Sequence, residues 1–227
     1  MSGALVLGID EAGRGPGIGP MVLAAVALDD VSATFLAQAG VRDSKAFGAG
    51  AAAQRRRADL ADVIRERALW TAVEICEVEE IDAYVTRGAL NHLERKHARL
   101  LIQRAPACSR IIADGRTLFS ALTAEFANLE AHDRAEAVHT AVAAASVCAK
   151  AERDRLFAAI ASRYQCDFGT LRGGGYVNPP TCAFVEKFVQ RHGHLPPEAR
   201  KSWPWHNLGT LENADPSTTA LTGPRVR

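Results

Sequence analysis

The chain has 227 residues, a net charge of +1, 48% hydrophobic residues and 23% charged residues. That length suits one well-buried domain with a small C-terminal extension, and the composition is that of an ordinary globular protein. A balance this close to neutral excludes a whole-molecule field that would advertise a nucleic-acid partner, so any basic surface must be local.

Residues 5–10 form an apolar run that predicts a buried strand. The run ends in two adjacent acids, Asp10 and Glu11, and a Gly13-Arg14-Gly15 loop follows, rich in glycine and proline as far as Pro20. Residues 21–28 predict a second strand, the hairpin partner of the first. Residues 41–50 read as a loop carrying Asp43-Ser44-Lys45. Residues 52–68 read as a helix with an Arg55-Arg56-Arg57 face, and residues 70–78 alternate as a third strand. Residues 81–104 are helical with a break near 86–88. A short apolar strand at 110–112 runs into Ala113-Asp114-Gly115. Residues 120–136 are ambiguous and can hold a weak fifth strand. Residues 140–164 read as a long helix, Gly173-Gly174-Gly175 as a flexible break before Tyr176, and residues 181–192 as a last helix. From Gly209 the chain turns polar and reads as a loose tail.

Strands first, then strand–helix alternation, indicate an α/β fold with a mixed central sheet flanked by helices. Sites in such sheets gather outside strand ends, where Asp10 and Asp114 are expected. The five cysteines (Cys76, Cys108, Cys148, Cys166, Cys182) are scattered with no CxxC pair. This argues against a disulfide framework or a zinc site, and for reduced thiols in a cytoplasmic protein. No segment is long and apolar enough to span a membrane, and a strand expected from Leu5 leaves no room for a signal peptide.

Two carboxylates side by side at a strand exit repel one another and lose hydration, so they need a compensating positive charge. A divalent cation with oxygen ligands supplies it. Arg14 and two glycines beside that charge suggest phosphate chemistry. The candidate cluster is Asp10, Glu11, Asp114 and one acid from residues 130–136. Each feature alone has a plainer reading. Asp114-Gly115 can be only a turn, and Asp43-Ser44-Lys45 is either a polar turn or brings Lys45 to a phosphate. Arg153-Asp154 reads as a salt pair on a helix surface, and residues 55–57 as a solvated face.

Taken in order, GIDEAGRGPGIGP, VRDSK, IIADG, AAASVCAKAERDR and GGGYVNPPT resemble type 2 ribonuclease H, ribonuclease HII, from about Leu5 to Trp205. The GYVNPPT…RKSW ending is more similar to the archaeal and eukaryotic versions than to the common bacterial one. The resemblance implies a ribonuclease H-like fold with a small helical C-terminal extension. The expected organisation is a catalytic domain at 1–165, a substrate-contacting extension at 166–208 and a flexible tail at 209–227. It implies metal-dependent hydrolysis of the RNA strand of RNA–DNA hybrids, and incision 5′ of a single ribonucleotide embedded in duplex DNA. Two Mg²⁺ or Mn²⁺ ions would be held with substrate by Asp10, Glu11, Asp114 and a fourth acid.

The family places an aspartate ten residues before Ser146, where this chain has Glu136; Asp133 lies three residues earlier. Arg134-Ala135-Glu136, followed by the run at 142–146, resembles the sister family ribonuclease HIII, so Glu136 is placed in the cluster. The resemblance also assigns backbone groups of Gly13, Arg14 and Gly15, and the Tyr176 hydroxyl, to the ribose 2′-hydroxyl. It assigns Lys45, Ser146, Lys150 and Arg200 to phosphates. The implied partners are RNA–DNA hybrid and ribonucleotide-containing duplex, with no membrane, for a monomer in the cytoplasm. The alternative is a non-catalytic or differently specific nucleic-acid-binding protein on the same fold.

Overall fold

A computed structural model describes residues 4–41, 48 and 50–205. Asp43, Ser44, Lys45 and the tail from 209 onward lie outside the described residues.

Five strands form one mixed sheet: β1 (Val6–Ala12), β2 (Met21–Leu28), β3 (Trp70–Cys76), β4 (Arg110–Asp114) and β5 (Leu129–His132), in the order β3-β2-β1-β4-β5. β1 to β3 are antiparallel neighbours, while β4 runs parallel to β1 and β5 parallel to β4. Every residue of β2 is buried, as its unbroken apolar sequence requires of a strand covered on both faces. The weak fifth strand is therefore real, pairing Ile111 with Leu129. The hairpin register continues to Ala12 opposite Val22, so Asp10 and Glu11 lie within β1 rather than beyond its end.

Among the described residues seven α-helices flank the sheet: α1 (Asp30–Gln38), α2 (Ala51–Arg67), α3 (Val78–Val85), α4 (Leu90–Arg104), α5 (Arg116–Phe119), α6 (Thr140–Phe168) and α7 (Pro179–His192). On one face, Leu7, Ile9, Met21 and Leu23 pack against Ile81 of α3 and Leu93 and Leu101 of α4. On the other, Val22, Ala24 and Val26 meet α2 and the alanine-rich start of α6. The small residues allow very close approach: a Cβ on Gly8 would stand 2.1 Å from the Ala141 carbonyl carbon. A third cluster joins Ile18 to Phe157, Ile160 and Tyr164 of α6 and to Phe184 and Phe188 of α7. The C-terminal residues are thereby packed onto the loop that follows β1.

Several elements differ from expectation, two helices most clearly. α1 has no counterpart in the sequence reading, because only Leu36 of it is buried and its periodicity is weak. Its one clear signal is Asp29, whose side chain accepts from Ser32 N at 2.8 Å as an N-cap. α6 runs on to Phe168 and stops at Gly169, which takes φ +78. The expected break after α3 falls at residues 86–89, with Gly88 at φ +65. α7 starts as its sequence dictates: the Asn178 side chain accepts from Thr181 N at 3.1 Å, and Pro179 opens the helix. Among the described residues no helix is long and apolar enough to cross a membrane.

Candidate active site

Asp10 and Asp114 stand near the ends of adjacent parallel strands, whose register pairs Ile9 with Ala113. Asp10 is 5% exposed and accepts the Glu11 N–H at 2.8 Å. Glu136 sits in a 3₁₀ turn, Ala135–Ala137, on the way into α6, and is also buried. The turn is pinned to β4, since Ala135 N donates to Asp114 Oδ1 at 2.8 Å. Arg134 before it takes the left-handed conformation at φ 60, uncommon for a residue with a side chain. Glu136 stands near enough to Asp114 to raise its carboxyl. Asp133 goes elsewhere: it is exposed and accepts the Arg116 N–H at 2.8 Å, at the start of α5.

α6 supports Asp10 from below. The Ser146 hydroxyl hydrogen-bonds the Asp10 carboxylate, and Lys150 Nζ donates to Ser146 Oγ at 2.9 Å. These residues are one helical turn apart and so share a face. Ser146, expected at a phosphate, is fully buried and serves Asp10 instead, because the alanine-rich start of α6 lies tight against β1.

The acids disturb one another. Burial raises the Asp10 carboxyl above its ordinary range, against the pull of Ser146 and Lys150. Burial, then the charges of Asp10, Glu94 and Asp114, push Glu11 up to about 8. Asp114 rises to about 6, by burial first and then through Asp10 and Glu136. Carboxylates crowded in a poorly hydrated space cannot all ionise without a cation. The donor set is all oxygen, which suits Mg²⁺ or Mn²⁺. Among the described residues no three or more His, Cys, Asp or Glu side chains stand in an arrangement that by itself could hold a metal ion. Mg²⁺ keeps several waters and takes other ligands from substrate phosphates, so protein carboxylates need supply only part of its shell.

Beside the acids lies the Gly13-Arg14-Gly15 loop. Gly13 has φ +87, and a Cβ there would stand 2.8 Å from Arg153 Nε. Gly15 faces Tyr176: a Cβ would meet its Cε1 at 3.2 Å, and the tyrosine is 56% exposed. The Arg14 guanidinium turns away, pairing with buried Glu94 and donating through Nη2 to Asn91 Oδ1 at 2.7 Å.

Two expectations about arginines are corrected. Arg200, expected at a phosphate, is completely buried and donates to the carbonyls of Gly13, Arg14 and Gly19. Arg153 is likewise buried rather than on a helix surface; it bonds Ile18 O, while Asp154 accepts from Arg57 at 2.6 and 2.8 Å. Both arginines are drawn inward by carbonyls more than a hundred residues away in sequence. Glu94 and Asn91 were missed by the sequence reading. The available signal was an acid within the apolar stripe Leu90, Leu93, His97, Ala98 and Leu101.

A model of the family described as Ribonuclease HII matches residues 7–205. The Ribonuclease HII of Thermofilum pendens is 37% identical over 224 residues, covering 89% of this chain and 98% of that protein. Among solved structures, the ribonuclease H2 from Pyrococcus horikoshii is similar with a TM-score of 0.77 at 27% identity, over 92% of this chain and 97% of that one. Bst-RNase HIII in complex with Mn²⁺ has a TM-score of 0.69 at 24% identity, over 90% of this chain and 68% of that one, a likeness of fold.

Proposed function

The chain belongs to the ribonuclease HII family, and on that premise we propose that it is a divalent-metal-dependent endonuclease acting on RNA–DNA hybrids and 5′ of single ribonucleotides in duplex DNA. What supports this reading is that Asp10 and Asp114 stand near the ends of adjacent strands, that their charges raise the Glu11 carboxyl, and that Glu136 raises those of Asp10 and Asp114.

Asp10, Glu11, Asp114 and Glu136 are the residues that would hold the metal, with Asp10 as the shared ligand if two ions bind. When bound, Mg²⁺ or Mn²⁺ would supply activation of a water and charge stabilisation at the leaving oxygen. The chain's own part is to hold the acids still. Ser146 and Lys150 fix the Asp10 carboxylate, and the Ala135 amide fixes Asp114. Glutamate at 136 reaches one methylene further than aspartate, so the turn at 135–137 can stand back from the ions.

RNA is told from DNA at the 2′-hydroxyl, the constant difference in the sugar. Backbone donors of the loop and the Tyr176 hydroxyl read it, and the exposed Tyr176 ring stacks on the deoxyribose beyond the junction. Residues 166–205 form the substrate-contacting extension because they carry Tyr176 to the loop. Lys150, half-buried near Asp10, is the described candidate for a backbone phosphate, and Lys45 is the second candidate by resemblance. Such contacts position the duplex without reading bases. A substrate with no dyad suits a monomer.

Cleavage-site mapping tests the function. A duplex with one ribonucleotide should be cut 5′ of it in Mg²⁺ or Mn²⁺, a hybrid cut within its RNA strand, and an all-DNA duplex left whole. Binding of hybrid without any cleavage in either metal would instead mark a non-catalytic binder.

A further inference from the structure

The loop at residues 13–19 is fastened almost entirely by its carbonyls. Arg200 Nη2 donates to Gly13 O at 2.6 Å, Nη1 to Arg14 O at 3.0 Å and Nε to Gly19 O at 2.9 Å. Trp203 Nε1 donates to Gly15 O at 2.9 Å. The Arg200 backbone N–H takes Gly17 O at 2.8 Å, and Arg153 Nη2 takes Ile18 O at 2.6 Å. Pro16 apart, every carbonyl of the loop accepts from residues 153–203.

The loop's own donors can be accounted for in the same way. The N–H groups of Gly17 and Ile18 both go to Gly175 O, at 2.8 and 3.0 Å, and that of Gly19 goes to Glu198 O at 2.8 Å. Pro16 has none. From residue 14 to 19, the N–H groups left without an acceptor among the described residues are those of Arg14 and Gly15.

Their direction follows from Arg200. No peptide bond is cis, and across a planar trans peptide the N–H points opposite to the carbonyl it shares. Tying Gly13 O and Arg14 O to one guanidinium therefore turns the N–H groups of Arg14 and Gly15 to the far side of the loop. Gly15 there borders Tyr176.

Burying a guanidinium without a carboxylate is costly. Among the described residues Arg200 forms no ion pair; its charge is met by three carbonyls and by the Trp203 ring, 4.7 Å from its Cζ. A lysine has the charge but not the planar fork, so it cannot hold two successive carbonyls in one orientation.

We propose that Arg200, assisted by Trp203, is a positioning residue for sugar recognition: it aims the Arg14 and Gly15 amides at the 2′-oxygen of the substrate. This rests on the reading above that the loop recognises the ribose.

The test compares Arg200→Lys and Trp203→Phe with the unaltered chain on two duplexes, one with a single ribonucleotide and one with a 2′-fluoro nucleotide in its place. Fluorine is a poor acceptor, so the unaltered chain should prefer the ribonucleotide. Arg200→Lys should lower kcat/KM on the ribonucleotide about tenfold or more while changing cleavage at the 2′-fluoro site much less, the signature of lost donors. Trp203→Phe should show the same narrowing to a smaller degree, with the Mg²⁺ midpoint unchanged in both. Equal proportional losses on the two duplexes would overturn the positioning role. If Arg200→Lys does not melt cooperatively, Trp203→Phe decides alone. If the unaltered chain shows no preference, the reading of the loop fails and takes the proposal with it; if it does and both variants keep it, only the proposal falls.

Discussion

Arg14 and the wholly buried Glu94 form an ion pair that ties the Gly-Arg-Gly loop to α4. Burial raises the Glu94 carboxyl and the Arg14 guanidinium opposes that rise. The second oxygen, Glu94 Oε1, is buried with no hydrogen-bond partner, so the pair depends on its one partner. The arginine of the loop is thus an anchor through its side chain.

Glu94→Gln should destabilise the protein by about 1–3 kcal/mol, less than for a fully enclosed pair because the Arg14 side chain can rehydrate. Urea unfolding measures this. An unchanged midpoint with an unchanged slope would show that the pair contributes nothing.

Asp10→Asn should lower kcat by about three orders of magnitude or more, as loss of a group that acts as part of a unit does. The metal-free variant should melt no lower than the unaltered protein, since it removes one charge from a crowded cluster. Substantial turnover in Mg²⁺ would contradict the bridging role of Asp10.

Glu136→Gln should lose far more activity than Asp133→Asn. The first residue raises the Asp114 carboxyl, whereas the second accepts a backbone N–H at the start of α5. Steady-state rates on one hybrid decide, and the reverse order would mean that Asp133 is the fourth acid.

Metal-free stability should fall as pH rises. Glu11 is pushed up to about 8 and Asp114 to about 6, both above their values in an unfolded chain. The folded state then binds more protons than the unfolded one across this interval, so stability is present at the low end and lost towards pH 8. Divalent cation should relieve the crowding, raising Tm more near pH 8 than near pH 6. A metal-free Tm that climbs across the interval would contradict this electrostatic picture.

Tyr176→Ala should harm single-ribonucleotide incision more than cleavage of long hybrids, because long RNA presents many alternative registers. Rates on the two substrates test this, and equal losses would remove the junction role.

What was legible in the sequence was what is local. The unbroken apolar run of β2, the acids at the end of β1 and the short strand before Asp114 declare themselves through composition and spacing. Burial set by distant packing did not. Arg153 and Arg200 read as surface charges because their partners, the carbonyls of Ile18, Gly13 and Arg14, are 135, 187 and 186 residues away. Ser146 is assigned to a phosphate by resemblance, whereas the close approach of α6 to Gly8 buries it. α1 was lost for the opposite reason, since a helix that buries only Leu36 leaves almost no periodic trace.

The most direct measurement is anomalous scattering from Mn²⁺ in crystals of the protein with an uncleavable ribonucleotide-containing duplex. The account predicts two peaks, both about 2 Å from Asp10 carboxylate oxygens, with Glu11, Asp114 and Glu136 completing the two sites. Peaks elsewhere, or a single ion that Asp10 does not touch, would contradict it.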